Sequence, residues 1–215
     1  MAKQKGIIKL DGTIGGITFY KTTEDGYLAR EKGGVSADKI ANDPAFQRTR
    51  ENGEEFGRAG KAGKLLRNSI RAMLQNASDS RMVGRLTQKM VEVIQEDLTN
   101  PRGQRNVIDG EAELLEGFEF NISGKLGTTL YAPFTGTIDR VAGTLTANIP
   151  AFVPINMLAA PGGATHFKIV SAGAEVDFEN ETFVMATSET AVLPWDTTAT
   201  AVINLSNAVT ANSTY

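Results

Sequence analysis

The chain has no cysteine, a single histidine (His166) and a single tryptophan (Trp195) among 215 residues, and it lacks any long apolar run. No cysteine means no disulfide scaffold, no thiol nucleophile and no Cys-ligated zinc. One histidine rules out a multi-histidine metal centre, and the missing apolar run removes a helical membrane span. Most familiar enzyme chemistry goes with them. The nucleotide motifs fail as well: Gly124-Lys125 is followed by Leu126 where a P-loop needs Ser or Thr, and neither a G-x-S-x-G elbow nor a G-x-G-x-x-G turn occurs.

What remains is an ordinary folding composition, 41% hydrophobic and 22% charged, in a length that allows one large domain or two modest ones. The net charge of −3 conceals a division. Residues 1–110 hold 19 basic and 14 acidic side chains, a net of +5, whereas residues 111–215 hold 3 and 11, a net of −8. Such halves attract each other, within a molecule or between neighbours, or offer the basic half to a polyanion.

Hydrophobic patterning predicts an α+β chain in three parts. Residues 1–36 read as a β-hairpin or meander arm: strands at 6–10, 13–21 and 27–32, separated by Asp11-Gly12 and by the turn at 23–26, with Gly15-Gly16 suggesting a bulge or close backbone approach. An isolated meander of that size buries too little apolar surface to stand alone, so Ile14, Ile17 and Phe19 are expected to pack on something else.

Residues 37–110 read as a helical hairpin. Asp43-Pro44 starts a helix predicted to run to about Gln75, and a second runs from Ser78 or Ser80 to about Leu98 with Met82, Leu86, Met90, Val93 and Ile94 as its seam. The first helix carries Gly53, Gly57, Gly60 and Gly63. Each glycine costs a helix roughly 1 kcal/mol against alanine, so a four-glycine stripe is expected to receive another backbone, unless the helix breaks there into a loop. Basic residues run alongside, including Lys61, Lys64, Arg67 and Arg71. They suit a solvated or subunit-facing surface, and as the alternative reading a nucleic acid, although acids interrupt them and no aromatics interleave.

Residues 111–215 turn abruptly to Thr, Ala, Val, Ser, Gly and Asn. Strand-like runs at 117–122, 128–131, 135–141, 144–149, 166–170, 175–178, 182–186 and 200–205 predict an immunoglobulin-like antiparallel β-sandwich without its cysteine pair. Alternation in Glu175–Glu181 places Val176 and Phe178 on one face and the acids on the other, an amphipathic strand leading into a turn, which disfavours a calcium loop or paired catalytic carboxylates. His166 and Trp195 are read as structural.

Three stretches carry a resemblance: KQKGIIKLDGTIGGITFYK from Lys3, YLAREKGG from Tyr27 and NDPAFQRTREN from Asn42, continued by NVIDGEAELLEGFEFN from Asn106. Together they resemble a group of uncharacterised proteins common in Bacteroidetes genomes, with a glycine-rich arm, helices and a β-sandwich. The resemblance implies a host group and no activity. It also implies that such chains continue with another apolar strand, so that Tyr215 is a processed or truncated end and a neighbour supplies the missing strand by β-addition. The amino end has no signal-peptide core, which suggests cytoplasmic synthesis and release, if any, as part of a particle. The combined expectation is a non-enzymatic, cofactor-free structural subunit that assembles with its own copies into a filament, tube or phage-like particle.

Overall fold

The computed structural model describes residues 2–213 and is a mixed helix and strand structure with several antiparallel sheets. Two compact units divide it at Arg50 and Glu51. The boundaries expected after residues 36 and 110 follow composition; the units follow packing, and the second holds both helices and β-structure.

In the first unit, β1 (Ala2–Lys3), β2 (Gly12–Ile14), β3 (Ile17–Thr22) and β4 (Gly26–Glu31) form an antiparallel sheet in the order β1-β4-β3-β2. Gly15-Gly16 is not a bulge but the two-residue turn of a hairpin closed by the Ile14–Ile17 pair, with Gly15 at φ 57°. The turn before Gly26 forms as expected, its φ of 75° suited to glycine and Thr22 Oγ1 accepting from the Asp25 amide at 3.0 Å.

The strand expected at 6–10 does not form. Instead the Gln4 side chain clasps Leu10 from both sides, donating to its carbonyl (3.2 Å) and accepting from its amide (2.9 Å), so residues 5–9 loop outward. A side-chain amide has replaced a strand partner. A short helix α1 (Ala37–Asn42), capped by the Ser36 hydroxyl, follows; the sequence reading did not foresee it. Asp43 then caps a 3₁₀ turn at Pro44–Phe46 by accepting from the Ala45 amide at 2.9 Å.

The long helix α2 (Gln47–Ser69) is continuous through all four glycines, so the loop alternative does not hold. It ends at Ile70, whose φ of −112° and ψ of 22° leave helical space, and α3 (Arg71–Ala77) resumes the segment expected as one helix. After a turn comes α4 (Met82–Gln95), whose Met82, Leu86, Met90, Val93 and Ile94 are buried with Ala59, Ala62, Leu74 and Val107 in one core. The seam is the one its spacing predicts.

Residues 117–122, expected as a strand, are irregular. The Arg85 guanidinium donates to the Glu119 carbonyl (2.6 Å), and Asp79 accepts from the Ile122 amide (3.0 Å) while its own amide donates to the Phe120 carbonyl (3.2 Å). Backbone groups that a ladder would need are thereby taken. Phe118 and Phe120 stack edge to face, centroids 5.0 Å apart, against the helical core. At 128–131 a helical turn α5 (Leu126–Thr129) replaces the expected strand, leaving Leu130 to bridge Leu158.

β5 (Thr135–Asp139), β6 (Thr144–Ile149) and β11 (Ile203–Ala208) make a three-stranded antiparallel sheet in the order β11-β6-β5. Between them in sequence lie α6 (Pro154–Met157), β7 (His166–Phe167), β8 (Val170–Asp177), β9 (Thr182–Glu189) and β10 (Leu193–Pro194), with β8 pairing β9 and β7 pairing β10. β8 stops at Asp177, whose buried carboxylate accepts from the Glu179 and Asn180 amides (2.9 and 3.0 Å). The strand thus runs into a turn as expected, but Phe178, one residue past its end, packs on the helical core instead of sharing the strand face of Val176. Trp195 is half-buried, its indole N–H donating to the Leu158 carbonyl at 3.0 Å. Tyr215, read as a processed or truncated end, lies outside the described residues. Among the described residues no helix is long and apolar enough to cross a membrane.

Candidate assembly interface

Strand register brings the three expected arm residues to one face. Ile14 pairs with Ile17, Phe19 with Ala29 and Ala29 with Ala2, so Ile14, Ile17, Phe19, Ala29 and Ala2 share one side of the sheet, with Lys21, Tyr27 and Glu31 on the same side. The opposite side carries Thr13, Thr18, Tyr20, Leu28 and Arg30, where Thr13 and Thr18 hydroxyls lie 3.2 Å apart and Arg30 stacks over Tyr20 at 5.2 Å. Among the described residues up to Arg50, Leu28 is the one buried hydrophobic side chain. Ile14 and Ile17 are 63% and 47% exposed, so the apolar side is open.

The four glycines of α2 separate into two groups. A Cβ on Gly63 would touch Leu86 and Met90 at 3.7 Å, ordinary contact, so this glycine belongs to the α2–α4 core along with Ala59 and Ala62. Around Gly53, Gly57 and Gly60 there is open space for at least 4 Å. Lys61, Lys64 and Arg71 are exposed, whereas Arg67 turns back to its own helix and donates to the Gly63 carbonyl at 3.1 Å. Other basic residues of the strip are engaged too: Arg58 with the Arg105 carbonyl, Arg85 with Asp79, Lys89 with Glu92.

An anchor that the sequence reading passed over lies beneath this strip. Glu55, 3% exposed, receives Arg105 Nε on Oε1 and Arg105 Nη2 on Oε2, each at 2.8 Å, and the Gly103 amide also at 2.8 Å. The Arg105 hydrogen bonds hold the Glu55 carboxyl below its ordinary value against the opposing effect of burial. Asp97 ties the same loop from inside. Burial pushes its pKa up, but donation from the Asn100 side chain and from the Asn100, Asn106 and Thr99 amides outweighs burial and lowers it to about 2. Glu55 had no visible partner in sequence because Arg105 is fifty residues away.

The β11-β6-β5 sheet shows a clean alternation. Ile203, Leu205, Asn207, Ile149, Ala147, Leu145, Gly136 and Ile138 share one side, while Thr135, Thr137, Thr144, Thr146, Asn148, Asn204 and Ser206 share the other. β8 and β9 lie against β11: a Cβ on Gly173 would come within 2.8 Å of Asn207 Cβ and 3.1 Å of Leu145, and the Asn207 amide donates to Ser171 Oγ at 2.9 Å. Cover on the apolar side fades across the sheet. Ile203 and Leu205 of β11 are buried, Leu145 and Ala147 of β6 half-buried, and Ile138 of β5 68% exposed. His166 sits exposed in β7 with Nδ1 2.9 Å from Thr165 Oγ1.

Compared with known protein families, with characterised proteins and with solved structures, the chain shows no match to any of the three.

Proposed function

We propose that this protein is a non-enzymatic structural subunit that assembles with copies of itself. The observation that carries the reading is the arm sheet: a four-stranded sheet with Ile14, Ile17 and Phe19 on one side and Leu28 alone buried. A sheet needs a covered apolar face for stability, and an open one marks a protein–protein contact. The opposite charges of residues 1–110 and 111–215 support contact between unlike surfaces of neighbouring copies, which builds rings or filaments. We read the C-terminal strands as an immunoglobulin-like sandwich, β8–β9 over β11-β6-β5, in a family of Bacteroidetes host range. Exposed Lys61, Lys64 and Arg71 and the open glycine positions of α2 offer a second contact surface.

Light scattering and negative-stain microscopy of the purified chain across concentration and salt test this reading. Particles or filaments that grow with concentration and weaken with salt are expected. A monodisperse monomer throughout overturns it.

A further inference from the structure

The apolar side of the β11-β6-β5 sheet ends in a groove between two strand edges. Among the described residues β5 pairs only with β6, and β8 only with β9. Consecutive residues of each line the space between them, Gly136, Thr137 and Ile138 from β5 and Val170, Ser171 and Ala172 from β8, so each strand presents its edge. The floor is Leu145, Ala147 and Ile149. At one end stands Glu175, whose carboxylate accepts from the Thr210 amide (3.0 Å) and the Ser213 hydroxyl (2.6 Å), beside Arg140.

The first unit carries a feature of matching chemistry. Ile7 and Ile8 are 102% and 80% exposed at the apex of the loop that Gln4 clasps, and residues 6–9 make no backbone hydrogen bond among the described residues. Lys5 and Lys9 flank the apex, and residues 1–10 contain three lysines and no acid. An apolar pair between two lysines is complementary to an apolar groove set in a half of net charge −8.

We propose that the groove receives the Ile7–Ile8 loop of a second copy of this chain. The inference rests on the self-assembly reading and names its contact. The two isoleucines cover Ile138 and Ala147, the loop's free backbone groups meet the unpaired edges of β5 and β8, and Lys5 and Lys9 lie against a half of net charge −8. Because loop and groove are different surfaces, the contact is heterologous: each copy gives one loop and takes one. The clasp by Gln4 holds the loop ready, so docking needs no unfolding of the arm.

The test uses full chains. Ile7→Asp/Ile8→Asp removes the loop's apolar pair, and Ile138→Arg places a charge at an exposed groove position. Each variant alone is expected to sediment as a monomer, with self-association weakened at least about tenfold. Mixed, they are expected to form a one-to-one complex and nothing larger, since one groove and one loop remain intact. Should Ile138→Arg lose its circular dichroism signature, a cysteine pair decides in this cysteine-free background. Ile8→Cys chains mixed with Ala172→Cys chains are expected to give a disulfide-linked heterodimer.

Assembly of the loop variant at wild-type affinity overturns the docking and leaves self-assembly standing, as do Ile8→Cys chains linking only to each other. A wild-type chain that is monomeric at every concentration overturns both.

Discussion

Glu55 and Arg105 form a bidentate ion pair at 2.8 Å across fifty residues of sequence, fastening the loop after α4 onto α2. Arg105 also donates to the Gln95 carbonyl at 2.9 Å, so one side chain joins both helices. Replacing Arg105 with Ala leaves a buried carboxylate with little more than the Gly103 amide for company. A loss of about 3 kcal/mol is expected, the low end for a broken buried pair because the arginine keeps some exposure. For a unit of this size that lowers the thermal midpoint by roughly 6–12 °C, readable by calorimetry or circular dichroism.

Acid should loosen the same loop. The folded-state pKa values of Asp97 and Glu55 are depressed, Asp97 to about 2, so their contributions are present above the unfolded carboxyl range and are lost as pH falls through the folded values. Stability is therefore expected to fall between about pH 4.5 and pH 2. Asp97→Asn should flatten that slope in urea titrations at stepped pH; an unchanged slope would remove Asp97 from the account.

Gly110 shows what close approach demands. A Cβ there would collide with the Val93 carbonyl oxygen and lie 3.0 Å from the Asn106 carbonyl oxygen, both backbone atoms that cannot swing away. Gly110→Ala is expected to cost about 1–3 kcal/mol, measured by denaturant unfolding.

Three glycines of α2 with open space around them separate folding from assembly. Gly53, Gly57 and Gly60 have open space around them, so alanine at each should stabilise the isolated chain by about 0.5–1 kcal/mol through helix propensity. Where the bare stripe receives another subunit, the triple variant should melt higher yet assemble less. Higher melting with unchanged assembly would assign the stripe no contact.

Charge reversal probes the basic strip. Lys61→Glu, Lys64→Glu and Arg71→Glu together should leave the melting temperature nearly unchanged, since all three side chains are exposed. Assembly should weaken most at low salt, where unlike surfaces attract most strongly. A salt titration with duplex DNA, run beside it, reports whether the same residues hold phosphates.

Local pattern alone determined much of this protein: the α4 seam from Met82 to Ile94, the Asp43 cap, the turn before Gly26, and β6 from Thr144 to Ile149. Each depends on neighbours a few residues away, and periodicity or turn chemistry expresses such dependence directly. The apolar character of Ile14, Ile17 and Phe19 was legible too, but their common face came from the Gly15-Gly16 turn, which set the register.

Tertiary structure decided the rest wherever a distant group competed for the backbone or for a charge. Gln4 displaced a strand at 6–10, Arg85 and Asp79 dissolved one at 117–122, and Arg105 drew Glu55 out of what looked like a solvated charge run. The groove between β5 and β8 had no sequence signal, because it arises from where one layer stops covering another. Composition had already excluded thiol and multi-histidine chemistry; the fold located the apolar surface left uncovered, since burial depends on which strands meet and alternation records only which residues are able to be buried.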